Sequence, residues 1–261
     1  MRIEIASLPG APERPNEDWA AAAIPASGRG GVLVALDGVT PPAGDDGCRH
    51  GVPWFTARLG GRLTELSGSE RNMTLSQILA EAIRRTADAH RDSCDLSHVR
   101  TPQATVVLAR WDDARFEYLV LSDSVLLLRD PAGAVTAVRD DRLDRVPREV
   151  LRSTAATDAL RNAAGAAHAF FTAAADPAVA GRAVTGSLPR AEVAAAAALT
   201  DGATRWTDTF REGDWTDCAA VLRKEGARAL LDRVRALESG PGPVPRGKRH
   251  DDASVVYAEL D

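Results

Sequence analysis

The chain has 261 residues, 44% of them hydrophobic and 26% charged, with a formal net charge of −5. That length can bury a sizeable core as one large domain or two small ones, and the composition is ordinary for a globular protein. The acidic balance argues against a nucleic-acid partner, which usually selects for a basic face.

No apolar run approaches the ~20 residues a membrane helix needs, and Met1 to Gly10 lacks the basic and apolar segments of a secretory signal. The expected location is therefore cytoplasmic, without membrane association. Cys48, Cys94 and Cys218 read as isolated reduced thiols, odd in number and without metal-ligand spacing. Lys224 and Lys248 are the only lysines. With heavy alanine use, this is the composition of a GC-rich bacterial genome, an association that carries no mechanism.

Ile3 to Ala6, Ala20 to Ile24 and Val32 to Leu36 read as strands, the last an unbroken apolar run typical of a buried one. Pro41 to Gly47 is a loop by composition. Two helices follow. In the second, Leu75, Ile78, Leu79, Ala82, Ile83 and Thr86 share one face behind a Thr74 cap. Gln103 to Trp111, Arg115 to Leu121, Val125 to Arg129 and Ala134 to Val138 form four short strands. Asp112-Asp113 and Asp130-Pro131-Ala132-Gly133 are turn signals that favour antiparallel pairing.

Residues 140–190 are rich in Ala and Arg and partly helical, with a strand-like patch at Ala167 to Thr172. They are the candidate for a flap over substrate. Asp214 to Glu238 reads as one long amphipathic helix, which Gly226 weakens by ~1 kcal/mol relative to Ala. Ser239 to His250 is a Pro- and Gly-rich loop leading to a last strand. No repeat or linker is evident, so 1–261 reads as a single domain, mixed α and β with segregated helices.

Five short acidic motifs stand beside these strands: Asn16-Glu17-Asp18, Asp37-Gly38, Ser122-Asp123-Ser124, Thr200-Asp201-Gly202 and Asp251-Asp252-Ala253-Ser254. Singly, each has an ordinary explanation as a turn, a helix cap or a solvated loop. Together they are carboxylates that a rigid sheet could converge on one point, and an all-oxygen cluster suits hard divalent cations. The pattern points to a two-metal hydrolase.

In order and spacing these motifs resemble the type 2C protein phosphatases, metal-dependent enzymes acting on phosphoserine and phosphothreonine. Arg14 with Glu17-Asp18, Asp37-Gly38, Thr101 to Thr105, Ser122 to Ser124, Thr200 to Gly202 and Asp251 to Ser254 follow that family's order from about Arg14 to Val256. The resemblance implies an α+β fold, a four-layer αββα sandwich of two antiparallel sheets flanked by helices. It implies that Asp37 bridges two metal ions, with Glu17 and the Gly38 carbonyl completing one site and Asp201 and Asp251 the other. Asp123, with Asp201, matches the position of a third, weaker ion, and Asp252 a supporting position. Arg14 is the candidate phosphate clamp. The implied ions are Mn²⁺ or Mg²⁺, two or three in number, and the implied partner is a phosphoprotein substrate. Two such cations can lower the pKa of a bridging water, align it with phosphorus and offset phosphoryl charge, with no covalent intermediate.

The chain departs from the pattern at three positions. Val39 stands where many members carry a His proposed as general acid, a loss that typically costs ~10²–10⁴-fold in rate. His50 and His250 are the candidate substitutes, each against the plainer reading of a surface histidine. Arg14 lies one residue closer to Glu17 than usual, and Ser122 replaces a Gly. Val39 and Arg14 motivate a competing reading, a binding or regulatory module with weakened turnover, although such a module has no need of five converging carboxylates. An aspartyl-phosphate mechanism on Asp37 is disfavoured, because Val39 occupies the place of the second Asp it requires.

Overall fold

The computed structural model describes residues 1–240 and 248–260. Its strands are β1 (Arg2–Leu8), β2 (Trp19–Ala23), β3 (Gly31–Leu36), β4 (Val106–Trp111), β5 (Arg115–Leu121), β6 (Val125–Arg129), β7 (Val135–Val138), β8 (Val184–Pro189), β9 (Ala195–Leu199) and β10 (Ala253–Glu259). They form two five-stranded antiparallel sheets, ordered β1-β10-β9-β6-β7 and β2-β3-β4-β5-β8. The helices are α1 (Gly51–Ser69), α2 (Leu75–Asp88), α3 (Arg148–Leu151), α4 (Thr154–Leu160), α5 (Asp201–Asp208), α6 (Trp215–Glu225) and α7 (Ala227–Ser239).

The alternation of β3 explains the layering. Val32, Val34 and Leu36 pack with Phe55, Leu59 and Ile78 of α1 and α2. Leu33 and Ala35 face the other way and meet Leu126, Ala196 and Val256 of the opposite sheet. On the far side, Leu199 and Val255 pack with Trp206, Leu222 and Leu230 of α5, α6 and α7. A strand covered on both faces has no polar side, which is why β3 reads as a continuous apolar run. The four layers are the expected αββα sandwich.

Several expectations are corrected. The four strands from Gln103 to Val138 are two hairpins, β4–β5 and β6–β7, and the chain changes sheet between them at Ser122-Asp123-Ser124. The supposed single helix from Asp214 to Glu238 is α6 and α7, broken at Gly226, where φ is +92°. Glu4 of β1 accepts a hydrogen bond from the Ala227 amide at 2.8 Å and so caps the second helix. The patch at Ala167 to Thr172 forms only isolated bridges, Arg161 with Phe170 and, just beyond it, Ala104 with Ala173. β8 and β9 were not anticipated. The loop expected at Ser239 to His250 lies largely outside the described residues.

The cysteines are not all isolated. Cys48 and Cys94 bring their sulfurs to 3.1 Å of each other, at the end of the α1–α2 pair where α1 begins and α2 has ended. Cys218 is buried alone among the helices on the other side. Among the described residues no helix is long and apolar enough to cross a membrane.

Candidate active site

The acidic motifs meet at one end of the sandwich. Asp37 follows β3, Asp201 opens α5 directly after β9, Asp251 and Asp252 precede β10, and Glu17-Asp18 precede β2. Asp123 lies at the switch between sheets. The join between the layers is direct, because the Asp37 carboxylate accepts a hydrogen bond from the Asp201 amide at 3.3 Å.

Hydroxyls and the outer carboxylate stitch this end together. Thr105 accepts from the Asp37 amide at 3.3 Å, and its hydroxyl lies 2.5 Å from that of Ser124. Thr200 donates to Asp18 at 2.8 Å and accepts from the Ser254 amide at 2.8 Å. Asp252 accepts from the amides of Gly10 and Glu17, each at 2.7 Å, and so fixes the loop that carries Glu17.

The two Asp-Gly pairs are not turns that need glycine's conformational freedom. A Cβ on Gly38 would stand 2.5 Å from the Glu17 carbonyl and 2.4 Å from Val52, and one on Gly202 would stand 2.0 Å from the Asp252 carbonyl. Only glycine lets these segments approach so closely. Ser122, by contrast, does sit in the left-handed backbone region that favours glycine, with φ +70°. Its amide donates to Asp140 at 2.9 Å, and Arg142 holds that carboxylate through two bonds of 2.7 and 2.6 Å. These anchors offset the ~1–2 kcal/mol that a side chain costs in this conformation.

The electrostatics are those of crowded anions. Burial, and then the carboxylates of Asp201 and Asp18, push Asp37 well above the ordinary range. Asp18 is pushed up to about 8, chiefly by burial, against hydrogen bonds from Thr200 and Ser254. Burial and Asp201 push Asp123 up to about 7. Asp201 is raised by burial and by Asp251, and Glu17 by burial despite its hydrogen bond from Thr40. Asp18 also has a carboxylate oxygen buried without a hydrogen-bond partner. A cation would relieve each of these strains, and the donors are all oxygen, the set that suits Mg²⁺ or Mn²⁺.

Sequence reasoning gave no role to three residues of this region. Asp18 is the most buried of the acidic group, and only its place in the Glu-Asp pair could have signalled it. Arg205 of α5 donates to Asp251 at 2.9 Å and to the buried Glu238 at 2.7 Å. Lys248 donates to Asp251 at 3.0 Å and to Thr40 at 2.6 Å. Asp251 thus already holds two cationic side chains, which the resemblance gave no reason to expect.

Arg14 is exposed and lines a cavity of about 310 Å³ together with Glu17, Lys248, His250 and Asp251. Val39 lines a second cavity of about 200 Å³ with Arg100, Thr101 and Arg161, closed by Leu151, Thr154 and Thr157 of the 140–190 segment. Arg100 and Arg161 share the carboxylate of Asp158 at 2.9 and 3.2 Å. His250 remains beside the acidic centre, 3.3 Å from Glu238. His50 turns away from it, stacked on Trp54 and 3.3 Å from the Cys94 sulfur.

Comparison with known proteins bears on the family and the fold. Residues 12–234 match the family described as Protein phosphatase 2C. No curated protein sequence matches significantly. Among solved structures, a bacterial serine phosphatase aligns with TM-score 0.65 at 12% identity, covering 100% of this chain and 98% of its own. The phosphatase PstP/Ppp of Mycobacterium tuberculosis gives 0.63 at 16% identity, with coverage of 100% and 98%. Stp1 of Staphylococcus aureus gives 0.62 at 13%, with coverage of 99% and 94%. A PstP catalytic domain, at 0.62 and 16% with coverage of 99% and 97%, was solved in complex with two manganese ions. The chain belongs to the protein phosphatase 2C family and is a metal-dependent Ser/Thr protein phosphatase.

Proposed function

We propose that residues 1–261 act as one cytoplasmic phosphatase domain that hydrolyses phosphoserine or phosphothreonine in proteins at the end of the sandwich carrying Asp37. The observation that carries this reading is the meeting of Asp37 and Asp201 across the two sheets, where burial raises the pKa of both and the Asp201 carboxylate raises that of Asp37 further. Asp37 would be shared by two Mn²⁺ or Mg²⁺ ions, with Glu17 and Gly38 serving one and Asp201 and Asp251 the other. Asp123 with Asp201 would serve a third. When bound, the ions supply an activated water and neutralise phosphoryl charge.

The chain's own residues bind and orient the phosphoester. Arg14, exposed at the rim of the cavity that Glu17 lines, would grip the phosphoryl oxygens, as a planar guanidinium does well. Arg100 and Arg161 carry positive charge into the cavity beside Val39, where the residues flanking a phosphoserine could lie. The 140–190 segment would cover that peptide. Val39 offers no proton to the leaving alkoxide, so phenolic esters should be hydrolysed more readily than alkyl ones.

The test is hydrolysis of p-nitrophenyl phosphate with Mn²⁺, with EDTA, and by Asp37→Ala. Turnover that needs the metal and vanishes in the folded variant supports the proposal. Turnover unchanged in Asp37→Ala would overturn it.

A further inference from the structure

A second cluster of metal-binding side chains lies apart from the acidic centre. Cys48 and His50 end the loop that leads from β3 to α1, and His90 and Cys94 follow α2. One ligand atom from each of the four falls within 4.8 Å of every other. The Cys48 sulfur is 3.1 Å from that of Cys94, 3.7 Å from Nδ1 of His50 and 3.6 Å from Nδ1 of His90. The His50 Nδ1 is 3.3 Å from the Cys94 sulfur. Zinc bonds of ~2.0–2.3 Å arranged tetrahedrally imply donor separations of ~3.3–3.8 Å; the three sulfur–nitrogen distances lie in that range, and the two sulfurs, closer than it, would part by several tenths of an ångström to take up the ion.

The surroundings are built to hold the donors. His90 is 3% exposed. Trp54, one turn into α1, stacks on His50 at 4.3 Å and leans on His90 at 5.0 Å, fixing both imidazole planes. The Asp95 amide donates to the Gly47 carbonyl at 2.8 Å, tying together the two segments that carry the cysteines. A simple disulfide between Cys48 and Cys94 would need neither imidazole.

We infer that Cys48, His50, His90 and Cys94 form a structural Zn²⁺ site that clamps the start of α1 to the chain leaving α2. Two thiolates and two imidazoles select zinc over Mg²⁺ or Mn²⁺, and four protein donors leave no position open for chemistry. The clamp fixes the far end of the loop whose near end carries Val39 and Thr40. It is independent of the ions proposed at Asp37.

The experiment is metal analysis of protein purified under reducing conditions without chelator, followed by Co²⁺ titration of zinc-stripped protein. One zinc per chain is expected, together with the thiolate-to-cobalt absorption of a tetrahedral sulfur-ligated site. Both should be lost in the Cys48→Ser/Cys94→Ser double variant and kept in Cys218→Ser and Asp37→Ala. Absence of zinc and of the cobalt bands in the wild-type protein would overturn the inference. So would a mass two hydrogens lighter than the dithiol, with Cys48 joined to Cys94. Because these outcomes are read on the wild-type chain, the inference does not depend on the double variant folding.

Discussion

The carboxylate centre and the cysteine–histidine cluster are both candidate metal sites, yet they are built on different principles. The first draws hard oxygen donors from strand ends, held by two sheets, in a crowd of anions that is strained without cations. The second draws sulfur and nitrogen donors from loops flanking a helix pair, at weak hydrogen-bonding distances from one another. Oxygen ligands that keep water in the shell allow ions to exchange and act, whereas a closed set of four soft donors holds one ion in place. One region is organised for turnover and the other for anchorage.

The sharpest way to break this division is Asp37→Ala. It should lower kcat/KM on phosphopeptides by ~10³-fold or more, since several kcal/mol of charge stabilisation goes with the lost ion. Zinc content, measured on the same preparation, should stay at one per chain. Loss of zinc would show that the two sites are not independent.

Next in size is Val39→His, which restores a proton donor beside the reacting centre. It should raise kcat on phosphoserine peptides by up to ~10²-fold and leave p-nitrophenyl phosphate nearly unchanged. An equal effect on both substrates would mean that leaving-group protonation is not what Val39 removes.

A third, smaller effect concerns stability in chelator. The Asp18 carboxyl, ordinarily near 3.8, is pushed up to about 8 in the folded protein. The folded state therefore holds this proton more tightly than the unfolded chain. The resulting stability is present below about pH 4 and is lost as pH rises through about 8. Thermal melts in EDTA should show wild-type Tm falling across that window, with a flatter profile for Asp18→Asn and for wild type in Mn²⁺. Parallel profiles would contradict the anionic crowding.

The smallest effect tests the helix layer away from both sites. Gly226→Ala places a side chain at φ +92°, against the Glu4 carboxylate that caps α7. It should cost about 1–2 kcal/mol, seen as a Tm lower by several degrees with activity and zinc unchanged.

The acidic centre was legible because three of its motifs, at Asp37, at Ser122 to Ser124 and at Asp251-Asp252, stand beside strands whose apolar runs are plain in the sequence. The strands that escaped notice each violate a compositional habit. β9 is four alanines and a leucine, and alanine is depleted in strands. It nevertheless sits in mid-sheet between β10 and β6, where small side chains fill both faces. β8 contains Gly186 and Pro189 and lies at a sheet edge, where such residues are tolerated. The change of sheet at Ser122 has no local signature, since a turn and a crossover use the same residues. The four donors of the cysteine–histidine cluster have no signature in cysteine spacing alone, since each cysteine is matched with a histidine. Cys48-x-His50 and His90-x₃-Cys94 are separated by a whole helix pair, and only the fold brings them together. Arg205 meets Asp251 through tertiary packing alone, whereas Lys248 stands only three residues before Asp251 and its contact is local.

The position of β10 has a consequence for how the protein is made. It lies between β1 and β9, pairing Arg2 with Glu259 on one side and Val255 with Leu199 on the other. A chain that has not yet reached Asp251 leaves facing edges of β1 and β9 bare and lacks Asp251 and Asp252. Such edges invite pairing with other chains, and closing contacts over so long a separation is slow. A fragment ending before Asp251 would therefore lack both the strand that joins β1 to β9 and two carboxylates of the acidic centre.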